Sequence, residues 1–278
     1  MVDTHIHLLE PDRFTYPWTE SFPALTGRFD LSDYLEASAG CGITAGVFME
    51  VDCGEPSQEA ARFCALAEEP GCLIRSVVAS ARPESPDFEC DLDGISHPRL
   101  VGIRRVLHVQ PDDLSRSALF RRHVALLGKR GLSFDLCVLE RQLPVALALA
   151  SACPGTTMIL DHCGCPDIAG HAEPGRFEGW RREVAALAAL PNVMLKFSGI
   201  SAYAPAGLRD AASLRPYFDE VLGAFGPGRI VWGGDWPVVN LGDGLAAWVS
   251  TTSTLVETLS PSEQKAILEG NARRIYRI

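Results

Sequence analysis

Three histidines and one aspartate stand where this chain can do chemistry. His5 and His7 lie two apart in Val-Asp-Thr-His-Ile-His. Side chains two apart on a strand leave the same face, so both imidazoles look into one space. His162 falls in Ile-Leu-Asp-His-Cys-Gly, and Asp235 in Val-Trp-Gly-Gly-Asp-Trp-Pro. Imidazoles gathered around a carboxylate suit proton transfer near neutral pH, and they also suit a divalent cation. Each residue has a plainer role open to it. A buried histidine commonly just satisfies a core hydrogen bond, and His162 or Asp235 could cap a helix. The His5–His7 pair at the end of one strand favours function, and it makes His162 the third imidazole of a cluster. Gly233 and Gly234 let the backbone turn closely before Asp235. Pro237 stops the strand there, so Asp235 is expected at a rim.

The elements that must position these residues follow one alternating pattern. Apolar or β-branched runs occur near Val2–His7, Ile43–Val51, Leu73–Ala79, Leu100–Leu107, Leu132–Val138, Thr157–Asp161, Val193–Phe197 and Ile230–Trp232. Helix-like stretches cover Leu31–Ala39, Ser57–Glu68, Ser115–Lys129, Glu140–Ala152, Arg176–Leu190, Ala211–Phe225 and Gly244–Leu259. Pro86–His97 reads as too short and broken for a full helix. Near-continuous apolar strands alternating with helices predict a parallel sheet covered on both faces. Eight such units in 278 residues predict an α/β fold, a (β/α)8 TIM-type barrel of typically about 250 residues. No linker divides the chain, so residues 1–278 are expected to form a single domain, with Pro261–Tyr276 as a C-terminal capping helix. An open doubly wound sheet would place a glycine-rich phosphate loop after its first strand, and Thr-His-Ile-His-Leu-Leu-Glu-Pro-Asp-Arg has no glycine. In a barrel the active site gathers at the strand C-terminal ends, which is where the three histidines and Asp235 fall.

Composition removes other classes. Hydrophobic residues make up 47% and charged residues 22%, so disorder is excluded. The net charge of -10, from 35 acidic against 25 basic residues, argues against nucleic acid and against an anionic membrane surface as partners. No apolar run reaches membrane length, and the first residues lack the basic and apolar regions of a secretory signal. Nine cysteines without a CxxC pair read as reduced, buried thiols of a cytoplasmic protein. Nothing in the sequence speaks to oligomeric state.

Asp-Thr-His-Ile-His, Leu-Asp-His-Cys-Gly and Gly-Gly-Asp-Trp-Pro, in that order, resemble the amidohydrolase superfamily. Val-Asp-Thr-His-Ile-His-Leu-Leu-Glu-Pro-Asp-Arg-Phe-Thr-Tyr-Pro-Trp resembles its sugar-lactonase branch, which includes fuconolactonase-like, rhamnonolactonase-like and pyrone-dicarboxylate lactonase-like enzymes. Gly-Ile-Arg-Arg in the fourth strand, Phe-Asp-Leu-Cys-Val in the fifth, Met-Leu-Lys-Phe-Ser-Gly in the seventh and the terminal Gly-Asn-Ala-Arg-Arg-Ile-Tyr extend the likeness from Asp3 to Tyr276. Metal-dependent members usually add a histidine at the end of the fifth strand. Here that strand reads Ser-Phe-Asp-Leu-Cys-Val, and Asp135 within it serves as a polar contact or a structural carboxylate. The branch is thought to work without an essential metal, and the missing histidine argues against an obligate binuclear centre. His5, His7 and Asp235 are left as a weak site for a single divalent metal such as zinc. Cys163 and Cys165 read as small residues at a strand end.

The resemblance implies hydrolysis of a sugar-acid lactone, a small neutral molecule. Asp235 would be the general base. His5, His7 and His162 would polarise the carbonyl, and Asp235 stays ionised if any imidazole is charged. Arg104 and Arg105 take opposite faces of their strand; the resemblance puts Arg104 in the pocket, and His108 lies further along that face. Lys196, a charge inside a strand, needs a partner or a solvated pocket, and the pocket is the expected reading. Glu50 ends the second strand. Trp18, Tyr16 and Trp236 sit in mouth loops, where aromatic faces suit sugar C–H groups. Two alternatives remain. One is a metal-dependent decarboxylase or an amide or phosphoester hydrolase of the superfamily. The other is a catalytically silent barrel that binds lactones.

Overall fold

The computed structural model describes residues 1–278. Its eight parallel strands run in sequence order: β1 Val2–Ile6, β2 Ala45–Met49, β3 Ile74–Ser80, β4 Leu100–Val106, β5 Ser133–Cys137, β6 Met158–Leu160, β7 Val193–Phe197 and β8 Ile230–Trp232. The helices between them are α1 Leu31–Ala37, α2 Pro56–Leu66, α3 Phe88–Gly94, α4 Ala118–Lys129, α5 Leu143–Ala152, α6 Arg176–Ala188, the single turn α7 Ile200–Tyr203, α8 Ala211–Phe225 and α9 Leu245–Val256. This is the (β/α)8 barrel that the alternation predicts. No helix is long and apolar enough to cross a membrane, and all nine cysteines are free.

One expectation needs correction. The segment after β3 does form a helix, the two-turn α3, because Phe88 and Leu92 are one turn apart and both bury against the core. The C-terminal capping helix forms where expected, with a π-turn inside it. It is α10 Pro261–Lys265, a π-helical turn Ala266–Gly270, and α11 Asn271–Ile275. The π-turn is the usual way a helix absorbs one extra residue.

The core has two layers. A large cluster packs the helices onto the outer face of the sheet. A smaller one fills the barrel interior with Val2, Ala45, Val47, Met49, Val78, Val101, Ile159, Met194 and Val231, and Ala272 and Tyr276 stop it from below. The interior is therefore packed, and polar side chains are confined to its upper end.

Closure between β8 and β1 is made by side chains and one bridge. Ile6 pairs with Trp236, His7 N–H donates to Trp236 O at 2.8 Å and Asp235 N–H to His5 O at 2.9 Å. Below them the Asp3 carboxylate accepts from Gly234 N–H at 2.7 Å, His5 N–H at 3.0 Å and Tyr34 O–H at 2.8 Å. Thr4 O–H donates to Trp232 O at 2.7 Å. A Cβ on Gly234 would stand 2.3 Å from Asp3 Oδ2, so this seam requires glycine there. The seam fixes Asp235 beside His5 and His7.

Candidate active site

His5 and His7 leave β1 on the same side, as their spacing predicts. Their Nε2 atoms lie 3.1 Å apart. His7 Nδ1 lies 3.0 Å from Met49 O, at the end of β2. A carbonyl only accepts, so Nδ1 carries the proton and Nε2 is left with its lone pair. Lys196 Nζ lies 3.3 Å from His5 Nδ1 and Arg104 Nη1 lies 3.3 Å from His5 Nε2, and each of these cations can only donate. A hydrogen-bonded line thus runs from Lys196 through His5 and His7 to the backbone of Met49.

Asp235 follows β8 with φ 58°. Its Oδ1 lies 3.6 Å from both His5 Nε2 and His7 Nε2, and its Oδ2 lies 4.0 Å from His162 Nδ1. Oδ2 is buried and has no hydrogen-bond partner. Burial pushes the Asp235 carboxyl up to about 6, while His162, Arg104 and Lys196 pull it down. Burial also keeps the imidazoles neutral. His5 lies well below its ordinary value through burial and then Lys196, His7 falls to about 3 through burial and then Arg104, and burial lowers His162. The expectation that a charged imidazole would keep Asp235 ionised is therefore corrected: the permanent cations nearby are Arg104 and Lys196.

His162 sits in a left-handed turn. His162, Cys163 and Cys165 have φ of 55°, 55° and 48°, and Gly164 between them has 75°. Non-glycine residues in this region cost roughly 1–2 kcal/mol each. The turn is held by Cys165 N–H to His162 O at 2.8 Å and Trp180 Nε1–H to Cys163 O at 3.0 Å. Ser198 Oγ bonds His162 Nδ1 at 2.9 Å, which leaves Nε2 free toward the cavity.

Beneath the imidazoles lies a buried ion network. Lys196 Nζ meets Asp135 Oδ1 at 2.6 Å and Asp161 Oδ1 at 2.8 Å, all three fully buried. Burial and the neighbouring Asp161 raise Asp135. Burial would raise Asp161 too, but Lys196, His162 and Arg104 hold it below its ordinary value. Arg104 is clamped by the Glu50 carboxylate and by Glu50 O, the latter at 2.6 Å, and its Nη1 lies 3.3 Å from His5 Nε2.

A cavity of about 480 Å³ opens above this floor. His7, Arg104, His108, His162, Asp235 and Trp18 line it. His5 lies just behind His7. Three expected substrate contacts do not line it. Lys196 is fully buried because its charge is met by Asp135 and Asp161. Glu50 is fully buried because it holds Arg104. Trp236 packs edge-on against Phe29 and Tyr34 at the seam. Tyr16 is likewise buried, its hydroxyl accepting from Glu10 N–H at 3.0 Å. Arg105 turns away from the cavity to Glu84, as its place beside Arg104 requires. His108 Nδ1 is 3.3 Å from Cys137 Sγ, which also faces the cavity.

Sequence reasoning missed Asp161, Ser198 and Gly199. Asp161 adjoins His162 in the same run, and Ser198-Gly199 closes the run that holds Lys196. Gly199 has φ 66°, and a Cβ there would stand 2.4 Å from His162 Nδ1 and 3.1 Å from Asp235 Oδ2. Gly199→Ala should lower turnover at least tenfold by displacing His162, with a modest fall in melting temperature. Steady-state kinetics beside a thermal melt checks this; normal kcat would show that His162 can shift without consequence.

The donor set also fits a cation. Two imidazole Nε2 atoms and Asp235 Oδ1 converge from three sides, and His7 has the backbone-bonded Nδ1 common to metal-ligating histidines. His5, Asp161 and His162 form a second such group. The Arg104 guanidinium beside His5 Nε2 opposes a dication there.

The amidohydrolase family model matches residues 2–278. The L-fucono-1,5-lactonase of Burkholderia ambifaria is 29% identical, covering 100% of this chain and 95% of that protein. The L-fucono-1,5-lactonase of Burkholderia multivorans is 30% identical, covering 99% and 95%. The crystal structure of an amidohydrolase from Burkholderia multivorans with bound zinc is 28% identical, covers 100% and 99% of the two chains and superposes with a TM-score of 0.89.

Proposed function

This chain belongs to the amidohydrolase family, and from that premise we propose that it is a lactonase opening a sugar-acid (aldono-) lactone to the free acid. The lactonase names of its relatives support the bond type. The observation that carries the reading is the unpartnered Asp235 Oδ2, buried at the cavity floor between neutral imidazoles. A base poised near neutral pH and facing unprotonated imidazoles is what attack by water on an ester needs.

The steps follow from these positions. Asp235 takes a proton from water as the water oxygen bonds the lactone carbonyl carbon. The carbonyl π pair moves onto oxygen, where the Nε2–H of neutral His162 and the Arg104 guanidinium stabilise the charge. The tetrahedral adduct collapses, the acyl carbon–ring oxygen bond breaks, and Asp235 returns its proton to the departing alkoxide. The product is the open hydroxy acid. His5 and His7 hold Asp235 from below, and Lys196 orients His5. A divalent ion, held by His5, His7 and Asp235, would supply Lewis-acid polarisation of the carbonyl. The two donors to the oxyanion, His162 and Arg104, and the base Asp235 belong to the chain itself.

A pH-indicator assay on five- and six-membered aldonolactones tests the reading. Proton release is expected, and it should survive prolonged treatment with chelator. Silence across the panel overturns the lactonase reading. Activity lost with chelator and restored by zinc would make His5, His7 and Asp235 required ligands and favour the metal-dependent chemistry of the family.

A further inference from the structure

Each N–H bond of the Lys196 ammonium has an acceptor. They point to Asp135 Oδ1 at 2.6 Å, Asp161 Oδ1 at 2.8 Å and His5 Nδ1 at 3.3 Å. An ammonium carries three donors in a tetrahedral fan, so two carboxylates that hold two of them also aim the third. The His5 ring that it meets stands 3.6 Å from Asp235 Oδ1. Asp161 sits at the head of the turn that carries His162. Asp135 lies in the middle of β5, and its Oδ2 is buried without a partner. Apart from Lys196, its Oδ1 has one contact, the Tyr276 hydroxyl at 3.3 Å. Tyr276 follows α11 and enters the barrel from its base, fully buried, with the Lys196 ammonium 5.6 Å from its ring centroid. Its carbonyl accepts from Ser76 Oγ–H at 2.7 Å. Arg277, at φ 53°, turns the other way and donates to Leu100 O at 2.8 Å and Gly131 O at 3.2 Å. The tail is thus anchored on the strand starts while its tyrosine points up the barrel axis.

We propose that Tyr276 is a positioning residue for the reaction at the other end of the barrel. Its hydroxyl holds Asp135, Asp135 aims Lys196, and Lys196 fixes the His5 ring against Asp235. Tyr276 touches no substrate, and the proposal rests on the lactonase reading, in which Asp235 is the base. A stopper for this apolar layer of Val2, Val78, Met194 and Val231 needs only a ring. A hydroxyl there costs free energy unless it is bonded, and its one hydrogen bond is to Asp135.

Tyr276→Phe and Tyr276→Leu test it, each with a thermal melt beside the kinetics. Tyr276→Phe keeps the ring and loses the hydroxyl. On the best aldonolactone its kcat should fall roughly tenfold at unchanged KM, the mark of a misaligned base rather than a damaged pocket. Tyr276→Leu should melt lower but lose little more in kcat. A plain stopper predicts the reverse, with Tyr276→Phe like the parent and the loss reserved for Tyr276→Leu. A second readout needs no turnover. The His5 imidazole signals in long-range ¹H–¹⁵N NMR spectra, assigned with His5→Asn, should move in Tyr276→Phe, while those of His123 and His171 outside the barrel stay. A parent kcat in Tyr276→Phe, a loss confined to KM, or unmoved His5 signals each overturns the proposal and leaves the lactonase reading standing. If the parent turns over no lactone, the lactonase reading falls and the His5 signals alone decide: moved, they support Tyr276 as a positioning residue of this site, and unmoved, they overturn it.

Discussion

Asp235→Asn should lower kcat for lactone opening by about 10²–10⁴, the range that a general base supplies, with little change in melting temperature. The substitution is chosen for the backbone as much as for the charge. Asp235 has φ 58°, a conformation that asparagine tolerates nearly as well as aspartate. Its backbone bonds, N–H to His5 O and O from Val239 N–H, do not involve the side chain. The amide cannot take a proton from water, and it cannot return one to the alkoxide. Kinetics under saturating lactone, with a thermal melt as control, decide the matter. Turnover within a fewfold of the parent would move the base role away from Asp235.

Lys196→Met should be the most destabilising single change in the barrel interior. It leaves Asp135 and Asp161 buried without their shared cation. Removing one partner of such a group typically costs about 3–5 kcal/mol. For a chain of this size that is a fall of roughly 5–10 °C in melting temperature. The loss should depend on pH. Without Lys196 the Asp161 carboxyl, which that ammonium holds below its ordinary value against the pull of burial, is pushed above its unfolded value. A folded state with a raised carboxyl binds more protons than the unfolded one, so its stability is full at low pH and lost as pH rises. The difference in melting temperature between parent and variant should therefore shrink between pH 7 and pH 5. A difference that stays constant over that range would show that lost packing, not unpaired charge, sets the penalty.

The barrel was legible because its strands are buried on both faces and its helices punctuate them regularly. Val193–Phe197 and Ile230–Trp232 match to the residue. The short helix Phe88–Gly94 was not, since its apolar side is only two residues wide. At the site, alternation along a strand tells which face a side chain takes, and it placed His5 with His7 and separated Arg104 from Arg105. It does not tell how deep in the barrel a residue lies. Lys196 points inward as its strand dictates and Glu50 follows the last residue of β2, yet both stop below the cavity because each meets a partner from another strand. Those partners, Asp135, Asp161 and Arg104, are 61, 35 and 54 positions away. Asp161 was passed over for its neighbour His162, although the two share one turn and hold different layers of the site.

The stopper below the barrel has a consequence for the order in which the molecule can mature. Tyr276 closes the interior: its carbonyl accepts from Ser76 Oγ–H at 2.7 Å, and its hydroxyl lies 3.3 Å from Asp135 Oδ1. The Lys196 ammonium stands 5.6 Å above its ring. A ribosome makes all eight strands before it makes this residue. Until Tyr276 docks, the underside of Lys196 and Asp135 lacks this cover. Lys196, which orients His5 at the cavity floor, is therefore held from the opposite end of the molecule, by a residue made after it.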